Sequence, residues 1–125
     1  MTLGYVVLYM EDTVKAKDFW LNQVGFVLKK ETLIKGQMVY QVGPSSGGPN
    51  LELVPLKLME DNPYNLNLKT PSLAFITNNL TEEKARLANN YVKTTEIIQH
   101  ENMNTFAFFD TEDNSFAMLE NNYLN

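Results

Sequence analysis

The same order of predicted elements occurs twice along this chain of 125 residues. Each half begins with an apolar, β-rich segment, continues with a helical pattern and ends with three short strands. Ser72 follows Tyr5 by 67 positions and Ala117 follows Glu52 by 65, so the two copies keep nearly the same internal spacing. A repeat of this length predicts a duplicated βαβββ module. Because one copy is too small to bury a substantial core, we expect a single domain over residues 1–125.

Hydrophobic patterning gives the bounds of these elements. The predicted strands of the first half are residues 5–10, 26–31, 37–42 and 50–55, and those of the second half are 72–77, 96–100, 105–110 and 116–120. The first helix is capped by Asp12 or Thr13 and stops at Gly25, and the second spans 80–92. Module 1 is therefore expected over about 3–55 and module 2 over about 71–120, joined by a linker at 56–70. The fold class is α+β.

Each predicted helix carries an apolar stripe that is expected to pack on a sheet. In the first helix the stripe is Ala16, Phe19, Trp20 and Val24. In the second helix it is Ala85, Ala88, Tyr91 and Val92. We interpret Phe19 and Trp20 as core residues, not as a platform for a ligand.

Composition excludes several function classes. The chain has no cysteine, which rules out disulfides and thiolate chemistry, and a single histidine, which rules out metal sites built from several histidines of one chain. The net charge is −5 and the lysines are scattered, so we expect no nucleic-acid partner. No apolar run approaches the roughly 20 residues of a membrane-spanning helix, and no signal peptide is recognisable. We therefore expect a cytoplasmic protein with no membrane partner.

Three segments carry a family resemblance. They are residues 5–26, with a strand ending near Asp12, Phe19-Trp20 and Val24-Gly25-Phe26; the strand at 50–53 (NLEL); and the turn at 109–114 (FDTEDN). Together they resemble the vicinal oxygen chelate superfamily of glyoxalase I, bleomycin-resistance proteins and extradiol dioxygenases, over about residues 3–120. Thr111 and Asp113 replace the Pro and Gly that are usual in the family's turn.

The resemblance implies two βαβββ modules that form a cupped mixed β-sheet, with the helices outside and the ligand inside the cup. Metal-dependent members bind the ion at positions that correspond here to Tyr5, Glu52, Ser72 and Ala117. Only Glu52 offers an anionic ligand, and two hydroxyls beside one carboxylate make a poor site for Mg²⁺, Mn²⁺ or zinc. We therefore expect no metal and no other cofactor.

Strand alternation identifies the side chains that would face the ligand. They are Tyr5, Val7, Tyr9, Glu52 and Val54 in the first half and Ser72, Ala74, Ala117 and Leu119 in the second. Such an apolar and aromatic surface with one carboxylate is typical of a small-molecule pocket. Alternatively, these side chains fill a core in which Glu52 is bonded to a tyrosine hydroxyl. His100, at the end of a strand, is either a further ligand contact or a solvated surface residue.

These features favour a protein that binds a small molecule without a metal. Such a protein sequesters an aromatic or cationic ligand, as bleomycin-resistance proteins do. Two alternatives stay open. One is a metal-independent isomerase or lyase with Glu52 as general base, and the other is an interaction module with a vestigial, filled cup. The resemblance also implies a homodimer that pairs exposed sheet edges.

Overall fold

The computed structural model describes residues 1–121 and, of His100, the backbone only. The chain divides into two compact units, Met1–Pro71 and a second unit that begins at Ser72. The first unit contains predicted module 1 together with the linker at 56–70, and the second begins one residue after the expected start of module 2. Within residues 1–121, no helix is long and apolar enough to cross a lipid bilayer.

Module 1 has the predicted order of elements. Its strands are β1 (Tyr5–Met10), β2 (Val27–Ile34), β3 (Gln37–Gly43) and β4 (Asn50–Pro55). Its helical elements are α1 (Thr13–Asp18), a π-helical segment (Phe19–Val24) that continues α1, and a short 3-10 helix (Leu56–Met59). The strand order is β1-β4-β3-β2, with β1 parallel to β4 and the other pairs antiparallel. The sheet is therefore mixed, with β1 and β2 as its edges.

Local chemistry starts and stops the first helical segment where the sequence predicts. The Asp12 carboxylate accepts a hydrogen bond from the backbone N–H of Lys15 at 3.0 Å, which satisfies a donor that the helix leaves unpaired. At the other end Gly25 has a left-handed backbone, with φ 95°, and its N–H donates to the carbonyl of Trp20 at 3.1 Å. A left-handed position is readily adopted by glycine, so the helix ends there.

One face of the module 1 sheet forms the core. The buried strand residues on this face include Leu8, Met10, Val42, Leu51 and Leu53, and the predicted helical stripe of Ala16, Phe19, Trp20 and Val24 is buried with them. The Trp20 ring stacks on Phe26 with 5.2 Å between centroids. Thr13, also buried, donates its hydroxyl to the carbonyl of Met38 on β3 at 2.8 Å, which ties α1 to the sheet. The core interpretation of Phe19 and Trp20 is confirmed.

Module 2 repeats the topology. Its elements are β5 (Ala74–Thr77), α2 (Leu80–Asn89), β6 (Ile98–His100), β7 (Met103–Phe109) and β8 (Ser115–Glu120), with the strand order β5-β8-β7-β6. Again the first and last strands are parallel. Val7 lies opposite Glu52 in module 1, and Ala74 lies opposite Ala117 in module 2. These pairs are equivalent in the repeat, so the duplication extends to the strand register.

The core of module 2 is aromatic. Phe75, Phe108 and Phe116 form a cluster with ring centroids 5.5–6.2 Å apart, and Phe106 and Met118 are buried on the same face of the sheet. Helix α2 contributes Leu80 and Leu87, spaced so that both lie on one side of the helix. Its N-terminus is capped by Asn79, and the Glu120 carboxylate accepts from the N–H of Leu80 at 3.1 Å.

The predicted stripe of α2 is wrong at three of its four residues. Ala85 and Ala88 are exposed, and Tyr91 is 92% exposed, whereas Val92 is buried as predicted. The helix ends at Asn89, not at residue 92, and Tyr91 has a left-handed backbone with φ 66°. Because helical spacing stops at that point, Tyr91 leaves the face that Leu87 occupies.

Six of the eight strands differ from the prediction by one to three residues at one end or both. The largest difference is at β2, which continues to Ile34, three residues past its predicted end; β5 begins at Ala74 and not at Ser72. The first part of the predicted strand at 96–100 is irregular, although Thr94 forms an isolated bridge to Phe108. The fold class itself is confirmed: the chain is α+β and holds two βαβββ modules with four-stranded mixed sheets.

Candidate functional site

The face of the module 1 sheet opposite α1 is the less buried one. We call it the open face of module 1; its residues on the three strands β1, β4 and β3 are Tyr5, Val7, Tyr9, Asn50, Glu52, Val54, Gln37, Val39 and Gln41. Along β1 and β4 the residues of this face are half-buried or exposed, while every second residue from Leu8 and Leu51 onward is buried. The alternation therefore places the five site residues predicted in the first half on one surface.

Glu52 lies at the centre of this face and is held by a neighbour. The side-chain amide of Gln41, on the adjacent strand β3, donates from Nε2 to Glu52 Oε1 at 3.0 Å. Both side chains are half-buried. The hydrogen bond is not the one anticipated in the core alternative, because the partner is an amide and not a tyrosine hydroxyl. It engages one of the two carboxylate oxygens of Glu52.

Two tyrosines flank the carboxylate along β1. Val7 lies directly opposite Glu52, so Tyr5 and Tyr9 lie about 6.6 Å to either side along the strand axis. Tyr5 is 42% exposed and Tyr9 is half-buried. Tyr5 and Tyr9 therefore share a face with Glu52, which is the only carboxylate among the residues that define the open face of module 1. Neither side chain belongs to the core of the module.

The equivalent surface of module 2 is apolar. Ala74 and Ala117 are register partners, as are Ile76 and Leu119. Ala74 is exposed, Ile76 is 52% exposed, and Ala117 and Leu119 are half-buried. Ser72 is exposed and precedes β5, so it is not the strand residue that the sequence predicts. Of the predicted site residues in this half whose side chains the structure describes, none is charged.

His100 is the last residue of β6, where its backbone is in register with Met103. Its side chain lies outside the described residues, so the two interpretations of His100 stay predictions.

Sequence reasoning missed Gln41 and Asn50. The Gln41 amide contacts Glu52 only because of the β3–β4 register, in which Gln41 is paired with Glu52 across the loop at residues 44–49. That register depends on the path of the loop. Alternation of Gln37, Val39 and Gln41 along β3 is a visible signal that these residues share a face.

The donor set at the family's metal positions does not fit a divalent ion. Glu52 is the single carboxylate among the four, and one of its oxygens is engaged by Gln41; Ala117 has no side-chain donor atom. Elsewhere among the described side chains, no three His, Asp or Glu residues come together in a group that could bind a metal. We therefore derive no chemistry through a metal for this face.

Comparison with solved structures returns the same fold. The chain matches UcmS2 with a TM-score of 0.78 and 17% identity, covering 95% of this chain and 97% of that one. It matches TnmS3, an antibiotic binding protein from a Streptomyces species, with a TM-score of 0.78, 21% identity and coverage of 96% and 95%. A superfamily member from Sphaerobacter thermophilus gives a TM-score of 0.80, 20% identity and coverage of 96% and 97%.

Two sequence comparisons give different results. A search of curated proteins finds no match, whereas a comparison with family models identifies the family. The family model described as Glyoxalase/Bleomycin resistance protein/Dioxygenase superfamily matches residues 2–118, nearly the whole chain. This is the family that the strand, helix and turn segments of the sequence resemble. The protein belongs to the glyoxalase/bleomycin resistance protein/dioxygenase superfamily.

Proposed function

We propose that this protein binds a small molecule without a metal and sequesters it, with the open face of module 1 as the principal binding surface. The observation that carries the proposal is the carboxylate of Glu52, oriented by Gln41 at 3.0 Å and bordered by Tyr5 and Tyr9. Within the described part of the chain, Glu52 takes part in no ion pair. A half-buried carboxylate without a counter-charge is suited to a ligand that supplies one.

The chemistry of this surface selects a class of ligand. Tyrosine rings offer flat apolar faces for stacking, and their quadrupoles attract cations. A carboxylate in a partly dry setting binds a charged donor more strongly than a neutral one. The net charge of −5 adds a weak long-range attraction for cations. The ligand that matches these features is partly aromatic and carries a cationic or hydrogen-bond-donor group.

Support also comes from the family. TnmS3, which shares the fold at 21% identity, is named as an antibiotic binding protein. We carry over only the general activity, small-molecule binding, and not the identity of the ligand. The loss of three of the four family metal ligands, at Tyr5, Ser72 and Ala117, favours binding over metal-dependent chemistry.

The proposed ligand-binding residues remain Tyr5, Val7, Tyr9, Glu52 and Val54 in module 1, and Ser72, Ala74, Ala117, Leu119 and His100 in module 2. We further propose that the protein acts as a cytoplasmic homodimer. Both sheets have unpaired edge strands, and β2 carries exposed apolar side chains such as Leu33, which is 67% exposed.

A thermal-shift screen tests the proposal. The compounds are cationic aromatics, neutral aromatics of matched size and glycopeptide-type antibiotics. A ligand at 100 times its Kd stabilises the folded state by about 2.7 kcal/mol, which raises Tm by several degrees. We expect such shifts for cationic aromatics and not for the neutral set, and unchanged compound on recovery. Recovery of a converted compound would favour the isomerase or lyase alternative, and no shift with any compound would favour an interaction module.

A further inference from the structure

We infer that Gln41 is a specificity-determining residue and that Gln41 and Glu52 form a two-acceptor site for a planar cationic head with several N–H donors, of the amidinium or guanidinium class. The inference rests on the proposed function, because it names the ligand chemistry of the same surface. Gln41 was not among the residues that the sequence pattern points to; the structure brings it to Glu52 through the β3–β4 register.

The direction of the Gln41–Glu52 hydrogen bond determines which oxygen atoms of the two side chains are available to a ligand. Gln41 Nε2 donates to Glu52 Oε1, so the amide oxygen of Gln41 and the second carboxylate oxygen are left over. No other described residue forms a hydrogen bond with either side chain. Both side chains are half-buried, and neither oxygen is among the fully buried, unpartnered side-chain atoms. These two acceptor oxygens thus define the polar part of this surface.

The spacing of the two acceptors suits a head with several N–H groups. Gln41 and Glu52 are register partners on neighbouring strands, whose backbones lie about 4.8 Å apart. A planar amidinium or guanidinium presents N–H donors in fixed directions, so one can reach the carboxylate and another the amide oxygen. A quaternary ammonium has no N–H and can use only its charge.

The residues next to Gln41 and Glu52 are consistent with a site that accepts a cationic ligand. Val7 lies beside Glu52 on β1, and gives the ligand an apolar contact next to the carboxylate. On the other side Lys30 of β2 is in register with Gln41, and it is exposed. Lys30 forms no ion pair among the described residues, so it does not neutralise Glu52. Gln41 therefore lies between the two charges and separates them.

The test compares two probes of similar size by isothermal titration: benzamidinium, which has N–H donors, and benzyltrimethylammonium, which has none. We expect the wild-type protein to bind benzamidinium roughly fivefold to tenfold more tightly, the effect of about one additional hydrogen bond. In Gln41→Met, which keeps the length of the side chain but loses the amide, the preference should fall below the wild-type value, because the amide oxygen no longer accepts an N–H while the carboxylate still can. Gln99→Met, at an exposed position on β6 outside the open face of module 1, is the control and should keep the wild-type preference.

A second variant guards against a change in packing. Gln41→Asn retains an amide but is one methylene shorter, so its oxygen does not reach the position of the Gln41 oxygen and the preference should fall as it does in Gln41→Met. Equal affinity of the wild-type protein for the two probes would overturn the inference. The proposed function would still stand if Glu52→Gln weakened the binding of both probes. A preference in Gln41→Met that equals the wild-type preference would overturn the role of Gln41. Absence of benzamidinium binding would overturn the two-acceptor site, while the broader screen would still decide the proposed function.

Discussion

The side-chain amide of Asn50 lies directly against the α-carbon of Gly43. A Cβ atom added to Gly43 would be 2.2 Å from Asn50 Oδ1 and 3.2 Å from Asn50 Cγ. The two residues lie where β3 ends and β4 begins, and Asn50 is also the register partner of Tyr5 on β1. Asn50 Oδ1 is buried and has no hydrogen-bond partner within the described residues. The absence of a side chain at residue 43 is therefore what allows Asn50 to occupy its position beside Tyr5.

Gly43→Ala is expected to lower the free energy of unfolding by about 1–2 kcal/mol, because the added methyl group overlaps the Asn50 amide and forces it to rotate away. Gly4→Ala is the matched control and should be nearly neutral, since a Cβ there meets nothing within 4 Å. Urea unfolding measures both. In an Asn50→Ala background the cost of Gly43→Ala should largely disappear; an undiminished cost would show that the strain has another source.

The turn after β7 depends on Asp110. Its buried carboxylate accepts from the backbone N–H groups of Glu112 and Asn114 and from Asn114 Nδ2, each at 2.9 Å. Asp110→Ala should destabilise the protein by about 2–3 kcal/mol, because it leaves donors of the turn unpaired. Asp110→Asn, which can still accept through one oxygen, should cost less. Chemical denaturation of both variants beside Asp61→Ala, at an exposed site, tests this order. Equal stability of the three variants would contradict it.

The fold was predictable because its signals are local or repeated. The cap at Asp12, the stop at Gly25 and the stripe of Ala16, Phe19 and Trp20 all operate within one helical segment. The prediction for α2 failed because alanines at 85 and 88 fit a helical period whether they are buried or exposed. The left-handed backbone at Tyr91 has no clear mark in the sequence, since glycine is absent there.

The candidate site was predictable only along single strands. Alternation places Tyr5, Val7 and Tyr9 on one face of β1, and the same rule places Glu52 and Val54 on one face of β4. Contacts across strands depend on register, which strand periodicity does not specify. For that reason the bond between Gln41 and Glu52 and the close approach of Gly43 to Asn50 appear only in three dimensions.

Protein purified without chelators is expected to contain less than one equivalent of Zn, Ni, Mn or Fe per chain. The reason is the donor set: Glu52 is the only carboxylate at the four family positions, and Gln41 engages one of its oxygens. Elemental analysis by mass spectrometry measures this directly. A metal present at one per chain that disappears in Glu52→Ala would contradict the metal-free account.

The protein is expected to be a homodimer, with a mass by light scattering of about twice 14.3 kDa. Exposed apolar side chains on the edge strand β2, including Leu33 and Ile34, offer a surface that self-association would cover. Leu33→Lys should shift the equilibrium towards monomer, while Lys35→Ala in the adjacent turn should not. A monomer at every micromolar concentration tested would contradict this prediction.

Titration of the best cationic aromatic from the thermal-shift screen into wild-type protein and Glu52→Gln tests the central claim most directly. A charge-assisted hydrogen bond contributes about 1.5–3 kcal/mol, so Glu52→Gln should weaken binding by roughly tenfold to a hundredfold. The free variant should remain as stable as wild type, because a glutamine oxygen can still accept from Gln41. Glu60→Gln, at an exposed position after β4, should bind like wild type. Unchanged affinity in Glu52→Gln would place the binding site elsewhere. A lower stability of the ligand-free variant would make Glu52 a structural residue.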